Sequence, residues 1–158
     1  MMNAVYDDVH RTENAMKWLC ILAALAIATP AFAADLEANK KAVLEFYEAG
    51  LNKKDFEVAS KYFGPKYIQH NPGASDGIEG FKSFVNFLKE KFPDSRSEIK
   101  KAFADGDFVI LHVHAVREPG TRGRAIVDIF RLENGKIVEH WDVAQDIPEK
   151  MPHNNGMF

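Results

Sequence analysis

Arg124-Ala-Ile-Val-Asp-Ile-Phe-Arg-Leu-Glu-Asn-Gly-Lys-Ile-Val-Glu-His-Trp-Asp-Val-Ala144 is the stretch whose reading decides the fold. Apolar and polar residues alternate through Arg124–Leu132 and again through Lys136–Ala144, as in half-buried strands. Asn134-Gly135 stands between them. Both central residues of a type I′ turn need positive φ, which Asn and Gly adopt most readily, so the stretch predicts a tight antiparallel hairpin. Upstream, Glu98–Phe103 and Phe108–Arg117 alternate in the same way around the turn Ala104-Asp-Gly-Asp107. Glu118-Pro119-Gly120 opens a longer loop that reaches Gly123. The C-terminal half therefore predicts an antiparallel meander.

The N-terminal half changes period. Leu36, Val43, Leu44, Tyr47 and Leu51 recur at helical spacing, and Gly50 and Asn52 suggest where that helix ends. Asp55 is placed to cap a shorter helix carrying Val58, Ala59, Tyr62 and Phe63, with Gly64-Pro65 as its stop. Lys66–His70 reads as a short strand. A third helix carries the stripe Ile78, Phe81, Phe84, Val85, Leu88 and Phe92, closed by Pro93. Helices first and a meander afterwards predict an α+β domain, not a βαβ parallel sheet.

The first 33 residues read differently. Met16-Lys17, the uncharged run Trp18–Ala28 and the small-x-small site Ala31-Phe-Ala33 match a secretory leader, with cleavage expected after Ala33. The run is shorter than the roughly 20 residues needed to span a bilayer. Asp7, Asp8 and Glu13 oppose a positive leader start, so Met16 is the expected point of initiation. Removal of 33 residues from 158 leaves 125, one domain at residues 34–158, in the periplasm or outside the cell. Cys20, the only cysteine, leaves with the leader, so the mature domain is expected to use neither a disulfide nor a thiol nucleophile.

A formal charge of −3 provides no basic field for nucleic acid. There is no glycine-rich phosphate loop and no Gly-x-Ser-x-Gly elbow. The chemistry-bearing residues are instead histidines and aspartates on strands. His112 and His114 share a face with Phe108 and Ile110. Asp128 shares one with Ile126 and Phe130, His140 and Asp142 share one with Val138, and His70 shares one with Ile68. Such sets suit a mostly apolar pocket with a few convergent polar groups. Ile68, Phe81, Ile110, Phe130 and Val138 are its expected apolar lining. The opposite placement of β-strand 108–117 puts Leu111, Val113 and Ala115 in the core and both histidines outside. A metal reading also exists, His112-x-His114 completed by His70 or His140, but it lacks helical His-Glu-x-x-His spacing. No cofactor or metal is expected.

Tyr67-Ile-Gln-His70-Asn-Pro72, Gly77–Phe81, Ala104–Asp107, Val127–Arg131 and Asn134–Asp142 occur in an order that resembles the SnoaL-like branch of the nuclear-transport-factor-2-like superfamily. The likeness spans about Leu36 to Pro148 and is greatest to proteins described as predicted aldol-condensation-catalysing enzymes. It implies a cone-shaped fold, a curved antiparallel sheet wrapped around helices with a deep pocket, and metal-free acid–base chemistry on a small carbonyl compound by a cyclase, isomerase or lyase; the exposed outer face of such a sheet needs cover, so a homodimer is expected. In the cyclases that name the family an aspartate is the acid–base group, and Asp142 best resembles it. The expected reaction has Asp142 as base, steered by His140 or His114. A neighbouring histidine or Asp128 in its acid form hydrogen-bonds the developing oxyanion, and His70 closes the pocket mouth or donates a second hydrogen bond. An exported member would meet no polyketide synthase in its compartment, which points away from polyketide closure itself. The alternative is a non-catalytic periplasmic binder of a small hydrophobic ligand.

Overall fold

The decisive hairpin forms as its sequence predicts. In the computed structural model, which describes residues 28–158, Asn134 and Gly135 have φ of 51° and 72°. They join two strands that pair antiparallel, Arg124–Glu133 and Lys136–Asp146. Arg96–Asp105 and Phe108–Val116 add two further antiparallel strands. With the earlier strand Phe63–Gln69, these are β1 (Phe63–Gln69), β2 (Arg96–Asp105), β3 (Phe108–Val116), β4 (Arg124–Glu133) and β5 (Lys136–Asp146), in the spatial order β1-β5-β4-β3-β2. The sheet is curved and unclosed.

Two expectations need correction here. The sheet is not wholly antiparallel, because β1 runs parallel to β5. A parallel neighbour needs a long crossover, which is supplied by everything between β1 and β5. Gly64-Pro65 does not stop a helix; it lies inside β1. The preceding helix has already ended in a 3₁₀ turn at Ser60–Tyr62. Proline is tolerated because β1 is an edge strand whose register shifts between Phe63 and Ile68. The strand ends at Gln69, one residue before the expected His70.

The helices are α1 (Ala28–Tyr47), α2 (Phe56–Ala59) and α3 (Gly77–Lys91). Of the leader expected over residues 1–33, residues 1–27 lie outside the described residues. α1 runs on into a π-helical turn at Glu48–Asn52, and Asp55 caps α2 by accepting the Val58 N–H at 3.0 Å. Val43, Phe46 and Tyr47 from α1 and Phe81, Val85 and Leu88 from α3 are buried. All but Leu88 join one core cluster with Val109, Leu111, Val113, Phe130 and Leu132 from the sheet's inner face. Phe46 is the hub, with ring centroids 5.1 Å from Phe63, 5.0 Å from Phe81 and 5.9 Å from Phe130. Each such ring contributes about 1.5–3 kcal/mol by burial, and edge-to-face pairing adds to it. At the start of α3, a Cβ on Gly80 would collide with the Ser75 carbonyl, so only glycine lets the 71–76 loop lie against the helix.

Candidate active site

The inner face of the sheet and the helices enclose a cavity of about 710 Å³. Its aromatic wall is Phe46, Phe81, Phe84 and Phe130, and His140, Asp142, Tyr67, Gln69 and Asn71 supply polar groups. Strand register explains the convergence. Asp128 pairs with Asp142, and Phe130 with His140, across the β4–β5 ladder, so all four face inward. Gln69 stands beside His140 across the parallel β1–β5 ladder.

A hydrogen-bond chain runs through these residues. Tyr47 Oη donates to Asp128 Oδ2 at 3.1 Å. Asp128 Oδ1 lies 3.0 Å from His140 Nε2, and His140 Nδ1 lies 3.0 Å from Gln69 Oε1. The Asn71 N–H donates to that same Gln69 oxygen at 2.9 Å, which fixes which end of the amide faces the ring. Nδ1 must therefore carry a proton, leaving Nε2 and Asp128 to share the other. Two like-charged carboxylates opposite each other on a ladder repel. Asp128 is relieved by His140 and Tyr47, whereas Asp142 receives only the Asn71 side-chain amide, at 2.6 and 2.8 Å to its two oxygens. Asn71 is itself oriented by the Gly73 N–H, which donates to its Oδ1 at 2.6 Å. Among the described residues Asp142 has no cationic partner.

Two phenols complete the site. Burial, then the nearby Asp128, pushes Tyr47 far above the ordinary tyrosine range. The same causes in the same order raise Tyr67, with Asp142 adding to them. Both remain O–H donors at any physiological pH. Tyr47 spends its proton on Asp128. Tyr67 Oη accepts from Gln69 Nε2 at 3.1 Å and, among the described residues, its own proton has no acceptor.

Of the residues predicted from sequence, the fold thus brings together Asp128, His140 and Asp142, with Phe81 and Phe130 on the wall. Six others are placed elsewhere. His112 and His114 face outward, 5.1 and 5.0 Å from the Phe158 ring, and His114 Nε2 meets the Arg122 carbonyl at 2.8 Å. The aliphatic set Val109, Leu111 and Val113 occupies the inner face instead, since burying imidazoles there would forfeit their hydration. Ile110 shares the outward face. His140 is on the opposite side of the sheet from His112 and His114, and His70, beside His140 in the backbone but three strands from β3, turns its ring onto Trp141 and Glu139, so the four histidines do not converge as metal ligands. Ile68 is exposed. Val138 is buried beneath Gly64 and does not reach the cavity wall.

His70 stacks on Trp141 at 4.6 Å and bonds Glu139 Oε1 through Nε2 at 2.8 Å, outside the cavity. Arg131 Nε holds the other Glu139 oxygen at 2.7 Å. The hydrogen bond from His70, then that from Arg131, keeps Glu139 below the usual carboxylate range. A depressed folded-state value stabilises the fold above the unfolded carboxylate's value, about pH 4.3, and the benefit is lost as pH falls through the folded value. Glu139→Gln is accordingly expected to lower thermal stability by less than about 1 kcal/mol at pH 7. The gap from wild type should close below about pH 4, as melting curves at several pH values would show.

Tyr47, Tyr67, Gln69 and Asn71 are absent from the sequence reading of the site. The signal was the polar alternation Tyr67-x-Gln69-x-Asn71, whose face is opposite to the one chosen through Ile68 and His70.

A curved sheet packed by helices around an inward histidine–aspartate pocket defines an α+β domain of the nuclear-transport-factor-2-like class. The SnoaL-like polyketide cyclase family matches residues 41–149, and the chain belongs to that family. No protein of curated function matches it. Among similar solved structures, a candidate polyketide cyclase of Acidithiobacillus ferrooxidans is 24% identical, with a TM-score of 0.58, over 68% of this chain and 87% of its own. An NTF2-like protein of Cytophaga hutchinsonii is 23% identical, with a TM-score of 0.57, over 68% and 89%. AclR, a candidate hydroxylase of Streptomyces galilaeus, is 25% identical, with a TM-score of 0.57, over 70% and 90%.

Proposed function

We propose that the protein catalyses cofactor-free proton transfer α to a carbonyl in a small organic substrate, with isomerisation, elimination or aldol closure as the outcome. The observation that carries this reading is Asp142: a carboxylate on the wall of a largely apolar cavity, oriented by a neutral amide and free of any cation among the described residues. Asp142 takes the proton from the α-carbon. The electrons move onto the carbonyl oxygen, which accepts the free Tyr67 O–H. The enolate then recovers the proton at another carbon, or expels a β-leaving group that takes the proton from Asp142, or attacks a second carbonyl and receives the proton from Asp142 on the new alkoxide. The Tyr47–Asp128–His140–Gln69 chain holds the wall and fixes Tyr67 through the Gln69 amide.

Deuterium uptake by ketones and β-diketones in D₂O, followed by proton NMR, tests the reaction. Uptake above the buffer rate is expected, and uptake at the buffer rate across the panel would overturn the reading. Tyr67→Phe is expected to lower turnover about tenfold, the worth of one hydrogen bond of about 1.4 kcal/mol, with KM little changed.

We also place this chemistry outside the cytoplasm, on the leader-like residues 16–33, and in a homodimer joined through the outer sheet face, where Phe103, Phe108, Val127 and Val143 are exposed. Native mass spectrometry of protein from the secreted fraction checks both. A mass of two chains beginning at Ala34 is expected, and a full-length or monomeric mass would remove the corresponding claim.

A further inference from the structure

Tyr67 and Gln69 alternate on β1, so their side chains leave the strand on the same side, toward the cavity. The Gln69 amide there has three partners, and they fix which way round it sits. Its oxygen is identified by the Asn71 N–H at 2.9 Å, because a backbone N–H can only donate. His140 Nδ1 meets the same oxygen at 3.0 Å and must donate as well. The NH₂ end is left for Tyr67 and donates to Oη at 3.1 Å.

A phenol has one proton and two lone pairs. Accepting from Gln69 uses a lone pair, so the Tyr67 proton has to point elsewhere. The ring itself cannot turn away, being buried with centroids 4.5 Å from Phe63 and 6.4 Å from Phe81. Only the O–H torsion is left free, and the amide restricts it. A flipped amide would present its oxygen to Tyr67, which would then donate to Gln69 and offer the cavity lone pairs alone. Two donors oppose that flip, since the NH₂ group would face the Asn71 N–H and the His140 Nδ1–H. His140 is held in turn by Asp128, 3.0 Å from Nε2.

We infer that Gln69 is a positioning residue: through it the Asp128–His140 pair sets the direction of the Tyr67 proton, and so keeps a donor aimed at a carbonyl oxygen in the cavity. This rests on the proton-transfer reading for which oxygen reacts. It gives the chain from Asp128 to Gln69 a part in the chemistry beyond holding the wall. None of the three hands a proton to the substrate; they act through Tyr67, whose hydroxyl is a preorganised donor only while the amide keeps its orientation.

Gln69→Glu tests the inference. The two donors on Oε1 suit a carboxylate as well as an amide, while the second oxygen offers Tyr67 an acceptor in place of a donor. The Tyr67 proton then turns away from the cavity. Infrared difference spectra with isotopically labelled acetophenone read the bound C=O stretch without turnover. The stretch is expected at lower wavenumber in the wild type than in Tyr67→Phe, and at the Tyr67→Phe position in Gln69→Glu. Turnover should fall about tenfold in each single variant with KM little changed, and the double variant should be no slower than either. A wild-type stretch no lower than that of Tyr67→Phe would overturn the inference, as would an unmoved stretch in Gln69→Glu. Losses that multiply to about a hundredfold in the double variant would do the same. In the unmodified protein, proton–nitrogen NMR of the His140 ring is expected to show Nδ1 protonated. A bare Nδ1 there would overturn the inference even if Gln69→Glu failed to fold. The spectra read binding alone, so an absent infrared shift leaves deuterium uptake through Asp142 intact, and failure of that uptake leaves the shift measurable.

Discussion

Asp142→Asn is expected to lower α-proton exchange by about a hundredfold or more, the usual contribution of a positioned general base. The substitution is nearly isosteric and removes only the capacity to accept a proton. Asn71 now donates to both carboxylate oxygens. In the variant one of those positions becomes an NH₂ group, so one hydrogen bond is lost or the new amide flips to retain the other. The structural cost is therefore small, about 1 kcal/mol. Losing the cross-strand repulsion between Asp142 and Asp128 offsets part of it. The diagnostic result is a large fall in kcat with KM and melting temperature close to wild type. Wild-type turnover in this variant would remove Asp142 as the base.

Asp128→Ala is expected to do the opposite, damaging the fold first. Asp128 is buried and accepts from Tyr47 while facing His140 Nε2. Truncation leaves a phenol and an imidazole without partners in the interior. Removing one member of such a pair typically costs about 3–5 kcal/mol, a large share of a domain stability of about 5–15 kcal/mol. Asp128→Asn keeps one acceptor and should cost less, about 1–3 kcal/mol. Urea denaturation of the three proteins checks the order wild type, Asn, Ala. An Ala variant within 1 kcal/mol of wild type would show that the chain from Tyr47 to Gln69 does not hold the wall together.

Much of the architecture was legible because its signals are local. Asn134-Gly135 needs only its own backbone preference to make the hairpin, and the stripe from Ile78 to Phe92 needs only helical spacing. Asp55 caps α2 through a contact three residues away. The parallel β1–β5 pairing carries no such signal, since it joins residues about seventy positions apart through register alone.

The site divides in the same way. His140 and Asp142 could be placed because the hairpin sets β5's register, and β4 then carries Asp128 to the same side. His112 and His114 could not, since β3 offers two usable faces and only the helices packed on the sheet select the aliphatic one. A strand's alternation tells which side chains travel together, and it says nothing of which side is inside.

By itself, then, the chain determined a meander after helices, and the grouping of Asp128, His140 and Asp142 on alternating positions. Tertiary packing alone decided that Tyr67, Gln69 and Asn71 face these groups while His70 turns away. Shifting by one residue reverses every side chain on a strand, and the shift in β1 is fixed by its contact with β5, a partner too distant in sequence to leave a local mark.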